Sequence, residues 1–357
     1  MRRESVRRIF VRAPNWVGDL IMATSAFRRI DEAFPHAHVA CGLRPVLRPL
    51  LAGTPWFDEY LPMRKIDGPA ALVGQVHALR AGDFDLAIVL PNSLESGLLP
   101  YLAGIPHRLG YQQGRPGLMT VGPRASGNRG WFTRHGPRRI PKPMPYYYQD
   151  LLDVLELPRV DVRPVLAVTA DERARTDAWL AGHGVADTDR LVLLNAGANY
   201  GGSKLWEPER WVEIAKHFRA RHALVPIFLA GPNDAALVAD IARRAGAIAA
   251  VDPILPVDTL KPLAERAALM VTTDAGPRHV AVAFRLPVVC LMGPNDPRYT
   301  EYCLDETTVI RKDLECSPCQ RKVCPLGHRR CMTEISTAEV LSAAERMLAA
   351  RGQVTNA

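Results

Sequence analysis

A lysine among glycines, directly after an apolar strand, is a common way to hold phosphate. This chain has that combination at Gly197-Ala-Asn199-Tyr-Gly201-Gly202-Ser203-Lys204-Leu-Trp206. Glycines let backbone amides approach phosphate oxygens, and the ammonium adds a point charge. The spacing is not that of a P-loop: Ser203 stands where the lysine belongs, and Lys204 arrives one position late. No clear Walker B partner follows, which argues against an ATPase. Two readings remain: a diphosphate cradle, or a plain strand-to-helix turn.

A second loop, Thr272-Thr273-Asp274-Ala275-Gly276-Pro277-Arg-His279, follows another predicted strand. Gly276 permits a tight turn, and Pro277 suits the first turn of a helix whose positive end faces an anion. Asp274 either accepts hydrogen bonds from sugar hydroxyls or orders the turn. His279, one turn in, faces the same anion or is a satisfied, partly buried histidine. A third loop, Ala13-Pro14-Asn15-Trp16-Val-Gly-Asp19-Leu20, follows the first strand. Its carboxylate is either a helix cap or a general base, which needs exposure within reach of a hydroxyl.

A fourth feature is chemically separate. Cys316-x2-Cys319-x4-Cys324-x6-Cys331 gathers four of the seven cysteines into one short basic stretch that also holds His328. In a cytosolic chain such clustering favours metal over disulfide. Four thiolates suit a tetrahedral structural zinc, and nearby arginines and lysines offset its negative charge. Disulfide pairing and free thiols are the other readings. The spacing fits neither common iron–sulfur pattern, and four sulfur ligands leave no open position for catalysis.

The elements that must position these residues alternate. In the first half the patterns predict strands Ile9–Arg12, His38–Cys41 and Leu86–Leu90. Helices are predicted over Ile21–Phe34, Val46–Leu51, Leu72–Ala81 and Tyr147–Leu155, with loops where glycine and proline are dense, from Gly104 to Pro145. The stretch Leu157–Pro164 reads as a linker. Alternation then resumes with Asp171–His183 (Thr169 as N-cap), Leu191–Asn195, Glu209–Arg221, Val225–Ala230 and Ala235–Ala245. It continues through Ile248–Val251, Thr259–Arg266, Leu269–Thr272, Pro277–Phe284 and Val288–Met292 to a closing helix, Thr337–Arg351. Strand–helix alternation predicts parallel sheets with crossover helices. A length of 357 residues fits two such domains. The expected division is 1–160 and 161–357, the second carrying a Cys-rich loop at 312–332. Two doubly wound, Rossmann-like domains facing each other would place the carboxyl ends of both sheets on a central cleft.

Composition narrows the function. No apolar run is long enough to span a bilayer; the best, Val280–Met292, contains Arg285 and Pro287. The basic N-terminus lacks an apolar stretch of signal-peptide kind, so the expected compartment is the cytoplasm. The net charge of +8 equals the eight basic residues between His107 and Lys142, a stretch without Asp or Glu. That segment either attracts a polyanion (nucleic acid, an anionic membrane surface or a phosphorylated glycolipid) or is a solvated loop without a partner. A basic zinc-loop protein on nucleic acid would leave the phosphate-type loops unexplained, so no nucleic acid is expected.

With these residues assembled, the sequence resembles glycosyltransferase family 9, the bacterial lipopolysaccharide heptosyltransferases, over nearly its whole length. Pro14-Asn-Trp-Val-Gly-Asp-Leu20, Val89-Leu-Pro-Asn-Ser93 and Ala103-Gly-Ile-Pro-His-Arg108 resemble the family's type II branch more than its type I branch. Ser203-Lys-Leu-Trp206, Thr273-Asp-Ala-Gly276 with His279, and Gly293-Pro-Asn-Asp-Pro297 match the wider family's pattern. The resemblance implies a GT-B fold and inverting transfer of L-glycero-D-manno-heptose from ADP-heptose. The acceptor it implies is heptosyl-Kdo2-lipid A at the inner face of the cytoplasmic membrane, a peripheral location. It makes Asp19 the base and Lys204 the group that stabilises the departing diphosphate. Gly197, Asn199, Ser203, Lys204, Asp234, Thr273, Asp274, Gly276 and His279 fall to the donor, and Asn15, Trp16 and Asn92 to the acceptor. No Asp-x-Asp motif stands at a nucleotide site, consistent with transfer that requires no cofactor. Glu207, Ala275 and the cysteine insertion depart from the common pattern and bear on donor specificity. Another inverting GT-B transferase, of type III or O-antigen kind, is the alternative.

The basic segment then meets the phosphates and carboxylates of the acceptor. Charge reversal at Arg134, Arg138 and Arg139 should weaken acceptor binding and spare donor affinity; equal loss of both in titrations would reject the assignment.

Overall fold

The computed structural model describes residues 3–112, 114–115, 117–123, 140–198 and 200–354. By its internal contacts the chain forms two units. One is Met1–Val165 with Arg298–Tyr302; the other is Leu166–Pro297 with Cys303–Ala357.

The first unit is built on β1 (Arg8–Arg12), β2 (His38–Leu43), β3 (Glu59–Pro62), β4 (Leu86–Val89) and β5 (His107–Gly110). Its helices are α1 (Val17–Met22), α2 (Thr24–Ala33), α3 (Pro69–Ala81), α4 (Leu94–Leu102) and α5 (Met144–Leu152). The sheet is wholly parallel in the order β3-β2-β1-β4-β5. Its central strands are buried along their length, as strands covered on both faces must be. Phe10, Met63, Leu79, Phe84 and Leu99 form part of the core. Gly42 lies so close to the Phe10 ring that a Cβ there would come within 2.5 Å of it, so this strand position has no room for a side chain.

The second unit carries α6 (Ala170–Gly182), β6 (Leu191–Asn195), α7 (Pro208–His222), β7 (Val225–Phe228), α8 (Ala235–Ala245) and β8 (Ile248–Ala249). It continues through α9 (Leu260–Arg266), β9 (Ala267–Thr273), α10 (Gly276–Ala283), β10 (Val288–Leu291), β11 (Thr307–Ile310), α11 (Arg330–Thr333) and α12 (Thr337–Val354). The order is β11-β10-β9-β6-β7-β8, again wholly parallel. Counted from β6, this is the doubly wound order of dinucleotide-binding sheets. Helix α6 starts where Thr169 accepts from the Glu172 amide while Glu172 reaches back to the Thr169 amide, a capping box. The core is aromatic: Trp211 meets Trp206 and Phe228 edge to face.

In both units the order reverses at one pair of strands: β1 beside β4, and β6 beside β9. Ligands of such sheets bind beyond the carboxyl ends at that reversal. Four loops therefore matter, those after β1, β4, β6 and β9.

Several elements differ from expectation. The predicted helix Ile21–Phe34 is two helices that begin earlier, at Val17, and part at Ala23, where the Thr24 hydroxyl donates to the Ile21 carbonyl at 2.7 Å. Pro45–Leu51 is a 3-10 turn, since Pro49 inside it cannot donate a helical hydrogen bond. Strands β3, β5 and β11 and helix α4 were not predicted. Each of the three strands lies at an end of its sheet, half-buried and poor in apolar alternation, so its state is set by the neighbouring strand.

Lys261 on α9 is fully buried and pairs with the buried Glu172 at 2.8 Å. Lys261→Met leaves that carboxylate buried without its cation, and should cost the second unit about 3–5 kcal/mol. A urea midpoint unchanged by the substitution would show that the pair does not hold α6 to α9.

Candidate functional site

In the first unit, β1 ends at Arg12, which is buried, and burial lowers its pKa. Its guanidinium donates to the Gly42 carbonyl at 3.2 Å and to the Asn15 side-chain oxygen at 2.9 Å, tying the loop after β1 to the end of β2. Trp16 is the N-cap of α1 by backbone position, and its ring is 56% exposed. Asp19 is therefore not the cap. It lies in the first turn of α1, half-exposed. Asn92, exposed in the loop after β4, donates to the Tyr147 hydroxyl at 2.8 Å, and Tyr147 stacks on Tyr111. Asn15, Trp16, Asp19 and Asn92 thus all flank the reversal point of the first sheet. Arg134, Arg138 and Arg139 lie outside the described residues.

The second unit gathers more charge. Lys204, on a short 3-10 turn after β6, is buried; its ammonium donates to the backbone carbonyl of Asp274 and stands 3.2 Å from the carboxylate. It also lies 4.7 Å over the Tyr200 ring. Asp274, just beyond β9, faces the Arg278 guanidinium at 3.4 Å and accepts from Asn295 at 2.5 Å. Burial alone would raise the Asp274 pKa; the Lys204 and Arg278 charges and the hydrogen bond from Asn295 outweigh it and hold the carboxyl down at about 2. His279 is buried, and desolvation together with the Arg278 charge lowers its pKa to about 3, so it is neutral at physiological pH. Two cations face one carboxylate, and the uncapped N-terminus of α10, beginning at Gly276, adds partial positive charge. The arrangement suits an anion of more than one charge.

Gly197, Asp234 and Thr273 form an adjoining group. The Thr273 hydroxyl donates to the Gly197 carbonyl at 3.2 Å, and a Cβ on Gly197 would fall 2.5 Å from the Asp234 carboxylate. Only glycine allows that approach. Asp234 is the N-cap position of α8 without a side-chain capping bond. Ser203 is turned elsewhere: its hydroxyl donates to the Arg321 carbonyl at 2.6 Å. Asn199 lies outside the described residues. Arg278 and Asn295 were not predicted as site residues. Arg278 carried a signal, since it stands one helical turn after Asp274; Asn295 carried only its place in the Gly293–Pro297 run.

Cys316, Cys319, Cys324 and Cys331 line one cavity of about 20 Å³, with Ser203 and His328 also in its wall. All are free thiols. Backbone N–H groups of Arg329, Leu326 and Gly327 hydrogen-bond the Cys324 sulfur and lower its pKa. Cys331 is raised by burial and by the other three sulfurs. No three of these four sulfurs lie mutually within 4.8 Å. Among the described residues, the set with three ligand atoms mutually within 4.8 Å is His217, His222 and Glu345, between α7 and α12. No helix among the described residues is long and apolar enough to cross a membrane.

Comparison with known proteins gives the family of the chain. The sequence model of glycosyltransferase family 9 (heptosyltransferase) matches residues 75–329. Lipopolysaccharide heptosyltransferase 2 of Escherichia coli K12 is 27% identical over 352 residues, 96% of this chain and 98% of that one. The solved structure of E. coli ADP-heptose lps heptosyltransferase II superposes with a TM-score of 0.78 at 25% identity, covering 97% of this chain and 99% of the other. A family 9 glycosyl transferase structure from Veillonella parvula gives 0.79 at 23% identity, covering 96% and 97%.

The buried pair of titrating groups has a measurable consequence. His279 is held near 3 against an ordinary 6.5, so below pH 6.5 the unfolded chain binds a proton that the folded chain refuses. Stability therefore falls as pH drops from about 6.5, by up to ~1.4 kcal/mol per pH unit. Asp274, held near 2 against 3.8, loses its contribution only below about pH 4, outside this window. Urea denaturation from pH 7 to 4.5 should show a flatter slope for His279→Gln; identical slopes would refute the assignment.

Proposed function

The chain belongs to glycosyltransferase family 9, the heptosyltransferases, and from that premise we propose that it moves heptose from ADP-heptose onto the first heptose of the lipopolysaccharide inner core. The observation that carries the reading is the buried Lys204–Asp274–Arg278 cluster at the N-terminus of α10, a cationic seat for a diphosphate.

In this reading Asp19 accepts the proton of the acceptor hydroxyl. The hydroxyl oxygen attacks the anomeric carbon, and the bond from that carbon to the β-phosphate oxygen breaks on the opposite face, inverting the centre. The electron pair leaves with ADP. Lys204, Arg278 and the α10 amides stabilise the charge on the departing diphosphate, an electrostatic role that grows as the bond breaks. Neutral His279 and the Asp274 carboxylate, fixed by Asn295, orient the donor. Gly197 leaves room beside Asp234 for the nucleoside end. Asn15, Trp16 and Asn92 line the acceptor side of the first sheet. Because the acceptor is a lipid, the enzyme works at the inner face of the cytoplasmic membrane, and the charge of the basic segment His107–Lys142 suits anionic groups there.

Cys316, Cys319, Cys324 and Cys331 are the residues that would hold a structural zinc. Four soft thiolates in one wall match the number and type that a closed tetrahedral site takes. Such a metal supports the fold and leaves the transfer to protein groups.

A transfer assay following ADP release tests the reading. Release should depend on a monoheptosyl Kdo2-lipid A acceptor. Asp19→Ala should cut kcat by about 100- to 10,000-fold with ADP affinity retained. Lys204→Ala should cut kcat/KM by about 100- to 1,000-fold. Full turnover by Asp19→Ala would remove it as the base, and silence of the wild type with a validated acceptor would redirect the search to other nucleotide sugars.

A further inference from the structure

The stretch from Lys312 to Arg329 has no helix or strand, yet it does not lie idle against the second unit. It grips the loop that carries Lys204. The Tyr200 hydroxyl donates to the Gln320 carbonyl at 2.8 Å, the Ser203 amide to the Lys322 carbonyl at 3.1 Å, and the Ser203 hydroxyl to the Arg321 carbonyl. Arg329 donates to the carbonyls of Leu205 at 3.2 Å and Gly202 at 3.4 Å. Gly201, at φ +151°, passes so near that a Cβ would sit 2.4 Å from the Lys322 carbonyl oxygen. Against these links, the loop's own bonds among the described residues are few: Gly201 N–H to Ala198, Lys204 N–H to Gly201 and Leu205 N–H to Gly202, around one short 3-10 turn. Its position is therefore imposed from outside.

The residues that impose it lie inside the cysteine framework. Gln320, Arg321 and Lys322 run between Cys319 and Cys324, and Arg329 stands two residues before Cys331. A stretch this long without regular structure, exposing Val323 at 76% and Leu326 at 61%, needs a cross-link to hold a fixed shape. The four thiols share one small cavity, with room for about one water-sized particle. No three of the sulfurs lie mutually within 4.8 Å, and Zn–S bonds of about 2.3 Å would draw them closer than that.

Resting on the zinc reading above, we propose that the four cysteines form a metal-tightened clasp on the donor loop, so that metal occupancy fixes the Lys204 loop and sets the affinity for a nucleoside diphosphate. The clasp residues act through Lys204 as positioning residues and need no contact with the donor.

The test combines metal analysis with ADP titration. Protein purified under reducing conditions without chelator should carry about one zinc per chain. Its cobalt-substituted form should show thiolate-to-cobalt absorption in the near ultraviolet. Stripping the metal, or Cys316→Ser with Cys319→Ser, should weaken ADP binding about tenfold, about 1.4 kcal/mol, and zinc should restore the stripped protein. Tyr200→Phe with Arg329→Ala keeps every cysteine, so it should retain the metal and still weaken ADP binding. Metal-free protein whose four thiols titrate as ordinary cysteines, or mass spectrometry showing them paired as disulfides, would overturn the zinc reading and the clasp with it. Bound zinc with unchanged ADP affinity in both the stripped and the Tyr200/Arg329 proteins would leave the metal and overturn the clasp. A metal-loaded wild type that fails to bind ADP would overturn both the clasp and the glycosyltransferase reading of this site.

Discussion

An ionised carboxylate in a dry site must find cations or lose its charge, and much of the second unit is arranged around that constraint at Asp274. Its partners come from three separate stretches of chain. Lys204 arrives on the loop after β6, Arg278 on the first turn of α10, and Asn295 on the loop after β10. Pairing one carboxylate therefore pins three loops to the end of one strand. The continuous burial of β9 makes this workable, since a strand packed on both faces gives its last residue a fixed address.

The same constraint explains why the cluster is cationic without being unstable. Two positive groups around one negative group leave one positive charge in excess. Asp274 holds Lys204 and keeps its ammonium from facing Arg278 unshielded. His279 contributes by staying uncharged: burial and the Arg278 charge both oppose its proton. A third cation there would raise repulsion in the empty site, whereas a neutral imidazole adds a hydrogen-bonding group at no electrostatic cost.

What could be read from the sequence follows from where information is local. Gly197, Lys204, Asp274 and Gly276 announce themselves because each sits just past a continuous apolar strand, and a buried parallel strand is legible as a run. Strands β3, β5 and β11 do not announce themselves: their patterns are half-polar, and an adjacent strand decides their conformation. The same limit applies to Asn295, which matters only because β10 pairs with β9 in the register that brings its loop to Asp274. Ser203 shows the limit from the other side. It stands within a phosphate-type motif, yet its hydroxyl turns to Arg321, a residue 118 positions away that no local pattern could have nominated. Asp19 was legible as a carboxylate at a loop–helix junction, but only the backbone separates the cap position, taken by Trp16, from the first turn.

A lysine that is to meet an anion must be both dehydrated and aimed, and the two demands conflict in a loop. Dehydration calls for burial, which Lys204 has; aiming calls for a rigid backbone, which a three-residue turn among glycines lacks. Replacing the glycines would stiffen the loop, but Gly197 faces Asp234 and Gly201 faces Lys322 at distances no side chain fits. Stiffness has to come from a neighbour, and the neighbour here is a segment with no secondary structure of its own. Five hydrogen bonds from that segment to the loop transfer the problem to the cysteines that frame it. On the clasp proposal, closing this irregular segment through four side chains would restrict its backbone more than hydrogen bonds exposed to water can. The cysteine framework would then hold the Lys204 loop in place without any of its sulfurs lying beside the ammonium.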